Sequence, residues 1–151
     1  MEPTASPNEF IGLRRQGVFK INIDSEGCTA TAPVAGLFTN PGPIEGRGNY
    51  LLSSSGKLVD SQTLSPIADL GASGFPAPCV DLTTSRAYLV SSTSIKAFAL
   101  SDGSLAGEFV FPEPLSSSPS QALRWGSDGF ALSFNDQVKI VRWTERPTGG
   151  N

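Results

Sequence analysis

The chain has 151 residues, 38% hydrophobic and 17% charged, with a formal net charge of −3, which gives one domain enough apolar content for a core and too little charge for a disordered polyelectrolyte. Its Lys and Arg residues are scattered apart from the Arg14-Arg15 pair, so it lacks the clustered basic face that nucleic acid requires. Histidine is absent, which removes the commonest general base and metal ligand, and with them any Ser–His or Cys–His nucleophile pair within the chain.

Gly (16) and Pro (12) are abundant without a collagen-like period, the punctuation of many short elements joined by turns. Met1–Asn8 reads as a polar linker; it lacks the basic and apolar regions of a signal peptide. The repeats then occupy residues 9–143, and residues 144–151 form a polar tail. No run of about 18 apolar residues marks a membrane span.

Taken in order, Phe10-Ile11-Gly12-Leu13 predicts a short strand, and Gly17 to Ile23 a second with Phe19, Ile21 and Ile23 on one face. Asp24-Ser25-Glu26-Gly27 is a turn, and Cys28 to Val34 a further strand with Pro33 near its end or on a sheet edge. The stretch Thr39 to Gly48 reads as a connection. Strands follow at Asn49–Ser53, Lys57–Asp60, Ile67–Leu70, Cys79–Leu82, Arg86–Ser91, Ser94–Leu100 and Gly107–Phe111. Pro112 to Ser120 is a second connection, and the last strands are Gln121–Trp125, Phe130–Phe134 and Gln137–Trp143. Neither face of Ser94–Leu100 is clearly solvent, which fits a sheet covered on both sides. Asp102-Gly103 and Asp128-Gly129 are hairpin turn signals.

Stacking these segments shows a repeat. Tyr50-Leu-Leu-Ser-Ser matches Tyr88-Leu-Val-Ser-Ser, then Phe130-Ala-Leu-Ser-Phe, with Phe10-Ile-Gly-Leu as a fourth copy. The aromatic leaders fall about 40 residues apart, the length of one four-stranded propeller blade. The predicted fold is therefore all-β: a β-propeller-like array of about four antiparallel meander blades, with a β-sandwich as the alternative. About three, four, four and three strands across the units fit an arc of a larger propeller, since closed rings typically hold 4–8 complete blades.

Arg86-Ala-Tyr-Leu-Val with Ser94 to Gly107 resembles the repeats of the quinoprotein-like and YVTN-type bacterial β-propeller families. Leu123 to Leu132 with Gln137 to Arg142 looks like the last blade of bacterial surface propellers. The resemblance covers about residues 46–143 and implies a propeller fold and a cell-surface setting. No quinone-cofactor ligand maps onto a position here, so no cofactor is carried over.

Asp24, Asp60, Asp102 and Asp128 recur near turns; with no D-x-D-x-D-G loop among them, local backbone capping is the expectation rather than a metal site. Trp125, Trp143, Arg14 and Arg15 are the candidate ligand contacts, weighed against filling the space between sheets for the tryptophans and a solvated strand end for the arginines. Cys28 and Cys79 read as small apolar strand residues, although one disulfide is arithmetically open. No G-x-S-x-G elbow or P-loop is present. The functional expectation is a non-catalytic binding or scaffold module with no catalytic, cofactor or metal residues of its own. Its expected partners are a protein or a glycan, or another copy through open blade edges. The alternative is a fragment of a propeller enzyme, a hydrolase or quinone-dependent oxidoreductase, whose catalytic residues lie in other blades.

Overall fold

The computed structural model describes residues 2–3, 8–14, 17–38, 42–72, 74 and 76–142, without the side chains of residues 2, 3 and 14. Fifteen strands form four sheets among these residues. The first sheet contains β1 (Glu2–Pro3), β2 (Glu9–Arg14), β3 (Gly17–Asp24) and β4 (Gly27–Ala30). The second contains β5 (Ile44–Arg47), β6 (Tyr50–Ser53), β7 (Lys57–Asp60) and β8 (Ser65–Asp69). The third contains β9 (Ala77–Asp81), β10 (Arg86–Val90), β11 (Ser94–Ala99) and β12 (Leu105–Val110). The fourth contains β13 (Gln121–Trp125), β14 (Gly129–Ser133) and β15 (Val138–Arg142).

Every sheet is an antiparallel meander whose strand order is its chain order. Successive sheets meet along their first strands, β1 with β5, β5 with β9 and β9 with β13. These strands therefore line the inside of the stack, and the last strand of each sheet lies outside. Four sheets in radial succession form a β-propeller-like arc, which sets aside the two-sheet sandwich. Among the described residues no substantial contact joins the fourth sheet to the first.

Each junction has its own core. Ile11 and Val18 of the first sheet pack on Leu51 and Val59 of the second. Leu52 and Leu58 pack on Val80, Ala87, Leu89 and Phe98 of the third. Cys79, Tyr88, Val90 and Ile95 pack on Ala122, Phe130 and Leu132 of the fourth. Strand alternation dictates this arrangement: odd and even positions of one strand face opposite neighbours, so a middle sheet must be apolar on both faces. In β11, Ile95 and Ala97 face forward to the fourth sheet while Phe98 faces back to the second.

The turns follow the Asp chemistry expected. Asp24 Oδ1 accepts from the backbone N–H groups of Glu26 (2.9 Å) and Gly27 (3.1 Å). Asp60 Oδ1 accepts from Gln62 and Thr63 N–H and from the Thr63 hydroxyl. Asp102 accepts from Ser104 N–H at 2.9 Å, and Gly103 in the same turn has φ +72°. The fourth case differs. Asp128 pairs with Arg142 at 3.3 Å, and the left-handed residue of the β13–β14 turn is Gly126 (φ +64°), while Gly129 already belongs to β14.

Two strands depart from the sequence reading. Ile44–Arg47, inside the stretch read as a connection, is the innermost strand of the second sheet. Ile-Glu-Gly-Arg carries no apolar alternation, and its extended state comes from pairing with β6 across the tight turn at Gly48 (φ +58°). Glu2–Pro3, within the stretch read as a polar linker, pair with Ile11 and Phe10. Among the described residues the strand count is thus four, four, four and three.

Candidate functional site

The inner strands carry most of the polar chemistry near the axis. β9 runs between β5 and β13, and both neighbours reach it through a charged side chain. Glu45 of β5 accepts a hydrogen bond from the Val80 backbone N–H at 2.9 Å. Arg124 of β13 donates from Nε to Asp81 Oδ2 at 3.1 Å. Its other nitrogens donate to the carbonyl oxygens of Gly129 (Nη1, 3.2 Å) and Ser127 (Nη2, 2.6 Å).

The Asp81–Arg124 pair lies at the junction of the third and fourth sheets, and both side chains are nearly buried, 11% and 12% exposed. The Arg124 guanidinium carbon sits 4.7 Å from the Phe130 ring centre and 5.4 Å from that of Tyr88. Those rings meet edge to face, 4.9 Å apart, the favoured aromatic geometry. Asp81 Oδ1 also accepts from Thr83 and Thr84 N–H, and Oδ2 from the Thr84 hydroxyl. Burial pulls the Asp81 carboxyl upward, but the Thr84 hydroxyl, the two backbone N–H groups and Arg124 together outweigh it and hold it below its ordinary value. Asp81 and Arg124 form a clamp between sheets, with their bonding capacity spent on structure. Burial and the nearby Glu45 charge push the Cys79 thiol up to about 12, and Cys28 and Cys79 are both free thiols.

A cleft of about 200 Å³ opens among the inner strands. Pro43, Ile44 and Glu45 form one wall, Pro78 the floor, and Gln121 to Leu123 the other wall. The two prolines fix the backbone there and withhold N–H donors. A second cleft, of about 240 Å³, lies between the second and third sheets over Ser91, Thr93 and Lys96. Among the described residues no group of three or more Cys, Asp or Glu side chains is placed to hold a metal ion, and no helix is long and apolar enough to cross a membrane.

The residues singled out from sequence lie elsewhere. Trp125 ends β13 at 60% exposure, so the expectation that it fills the space between sheets is corrected: its face of the fourth sheet has no neighbour among the described residues. Arg14 ends β2 with its side chain undescribed, and Arg15 and Trp143 lie outside the described residues. Glu45, Asp81, Gln121 and Arg124 were missed. The signal for Arg124 was a lone cation inside an apolar strand, between Leu123 and Trp125. For Asp81 it was a carboxylate closing the run Cys79-Val80.

No protein-family model matches the chain, and no curated protein sequence matches it. Solved structures do. The crystal structure of Citrobacter koseri AztD is similar with a TM-score of 0.62 at 13% identity, over 95% of this chain and 44% of that one. Apo AztD from the same organism gives 0.61 at 13% identity, over 92% and 42%. The β-propeller domain of Myceliophteria thermophila Cps50 (Swd1) gives 0.43 at 16% identity, over 96% and 38%. This chain thus spans under half the length of these structures, and at such identities the likeness shows the fold alone.

Proposed function

We propose that this chain is a non-catalytic β-propeller module that binds a protein partner by taking one of its side chains into the axial cleft. The observation that carries this reading is the cleft itself. At about 200 Å³ it falls below the roughly 300–1,000 Å³ of small-molecule and cofactor sites, and it has room for one or two side chains. Its lining combines the apolar Ile44, Pro78 and Ala122 with the polar Glu45, Ser120 and Gln121, a composition suited to an anchor residue with a polar rim. The walls come from three sheets, and the Asp81–Arg124 and Glu45–Val80 contacts hold those sheets in place. A preformed site of this kind spares its partner part of the ordering cost. The Arg86–Gly107 resemblance supports placing the module with the quinoprotein-like and YVTN-type propellers, and with it a cell-surface setting.

Selection of a displayed peptide library against the intact chain tests the reading. Selected peptides are expected to lose at least tenfold in affinity for Gln121→Trp, which fills the cleft, and to bind Val110→Asp, altered on the outer strand, unchanged. Binders indifferent to Gln121→Trp, or no binders at all, overturn it.

A further inference from the structure

Among the described residues that line the axial cleft, Glu45 alone is ionisable. Around it stand the apolar Ile44, Pro78 and Ala122 and the neutral Ser120 and Gln121. The Arg124 cation belongs to the same strand as the far wall, but it is bound to Asp81 at 3.1 Å, is nearly buried, and is not part of the lining. The charge that the lining presents to the cleft is therefore a single negative one. Its field reaches across the junction: burial first, and then Glu45, push the Cys79 thiol up to about 12.

Several hydrogen-bonding groups around Glu45 are acceptors. The Val80 N–H leaves β9 on the side away from β10 and meets Glu45 Oε2 at 2.9 Å. Pro78 lies two residues along, so its carbonyl oxygen faces that same side, and as a proline it has no N–H to set beside it. Pro43 likewise withholds a donor. At the far wall the Ser120 hydroxyl donates its proton to the Ser133 carbonyl at 3.1 Å, which leaves it an acceptor for any guest. The Gln121 amide can turn either end to a guest.

On the cleft reading above, we infer that the partner's anchor is a basic side chain, Lys or Arg, with its cation on Glu45 and its stem along Ile44, Pro78 and Ala122. Charge decides among the anchors that the volume admits. An aromatic or aliphatic side chain would strip water from Glu45 and return no bond to it, and an uncompensated carboxylate is among the costliest groups to desolvate. An Asp or Glu anchor would set like charges together. Lys and Arg bring donors only, and their methylene stems suit an apolar wall behind a charged end. The bond from Val80 takes one of about four acceptor positions on a carboxylate, so a guest N–H joins the contacts Glu45 already makes within the chain and need displace none of them. The net charge of −3 adds a long-range attraction for cationic partners.

Peptides selected from a displayed random library against the intact chain test the inference. They are first sorted by Gln121→Trp, and those that lose affinity for it are the cleft binders. An alanine scan of each cleft binder then finds its anchor, expected to be Lys or Arg. Replacing a Lys anchor by norleucine, or an Arg anchor by citrulline, keeps the stem and drops the charge. That change is expected to weaken binding on the order of 30-fold, the low end for a buried charge pair that loses one partner. Glu45→Gln retains an acceptor for the Val80 N–H and should cost a similar factor. The two changes together should cost little more than either alone, because both remove the same contact. The neutral-anchor comparison uses the unaltered chain, so it decides the matter even where Glu45→Gln does not fold. Cleft binders anchored by an aromatic, aliphatic or acidic residue overturn the basic anchor and leave the cleft reading standing. So do binders whose basic anchor tolerates the neutral replacement, or whose losses add to those of Glu45→Gln. Binders indifferent to Gln121→Trp, or no binders at all, overturn both.

Discussion

The third and fourth sheets are built from similar strands and buried differently. Every residue of β9 is buried, and β10 is buried apart from Arg86 at its start. In the fourth sheet β13 alternates exposed with buried or half-buried positions along its whole length, and β15 does the same. The difference lies in the neighbours: among the described residues the third sheet has one on each face, while the fourth has one on its rear face only. Period-two burial in a strand therefore reports an open face, and its loss reports a second neighbour. Apolar residues alone do not separate the two cases, since Leu123 and Ile140 are as apolar as Cys79 and Ala97.

The largest test of this contrast is truncation on either side of the fourth sheet. Phe130 is fully buried against Tyr88, so Phe130→Ala is expected to cost about 3–5 kcal/mol. Trp125, larger but 60% exposed, should cost no more than about 0.5 kcal/mol when replaced by Ala. Urea unfolding of both variants measures the difference; a comparable loss for Trp125→Ala would mean that its face is covered within the monomer.

The two cysteines repeat the contrast in reactivity. Cys79 stands in the doubly covered β9 with its thiol pushed up to about 12, and Cys28 is exposed in β4. The thiolate is the reactive form, so iodoacetamide at pH 8 is expected to label Cys28 and leave Cys79 at least about 1,000-fold slower. Mass spectrometry of labelled peptides reads this directly. Comparable labelling at Cys79 would show that the third sheet opens readily.

Much of this architecture was legible in the sequence, and the exceptions have physical causes. Thirteen strands were signalled by apolar runs between Gly, Asp and Ser turns. The missed pair, β1 and β5, owe their extended form to pairing with β2 and β6. The repeat located the second strand of each sheet, since Phe10, Tyr50, Tyr88 and Phe130 all lie there. It also set Tyr88 and Phe130 in equivalent positions, whereas they face each other across a single junction. A one-residue offset leaves a short aromatic motif looking the same and turns its side chain to the opposite face. The axial cleft was not legible at all, because Pro43, Pro78 and Gln121 converge only once three sheets have stacked.

A smaller effect is expected at the clamp between the two sheets. Arg124→Met keeps most of the packing and leaves Asp81 without its cation. A wholly buried pair broken this way costs about 3–5 kcal/mol; about 2 kcal/mol is expected here, since the hydroxyl and N–H donors to Asp81 remain. Adding Asp81→Asn should recover part of the loss. The folded-state pKa of Asp81 lies below its ordinary value. Its contribution is therefore complete above about pH 4, where the unfolded carboxyl is ionised, and is lost as pH falls through the lower folded value. Asp81→Asn should flatten the acid limb of stability against pH, and an unchanged limb would remove Asp81 from the account.

The smallest expected effect concerns the inner hairpins of the same two sheets. The β9–β10 turn ends with Ser85 at φ +53°, and the β13–β14 turn begins with Gly126 at φ +64°. One sheet thus places a side chain in the left-handed region and the other a glycine. Nothing lies within 4 Å of where a Gly126 Cβ would stand, so Gly126→Ala tests backbone conformation alone and should cost about 1 kcal/mol. At Ser85 both backbone groups are bonded, the N–H to the Leu82 carbonyl and the carbonyl to the Leu100 N–H, and glycine preserves both bonds. Ser85→Gly should relieve roughly 1 kcal/mol of strain and return part of it as unfolded-chain entropy, for a net gain of about 0.5 kcal/mol. A loss at Ser85→Gly of the size seen at Gly126→Ala would mean that the serine side chain stabilises the third sheet's hairpin, and the two turns would then be specified by different chemistry.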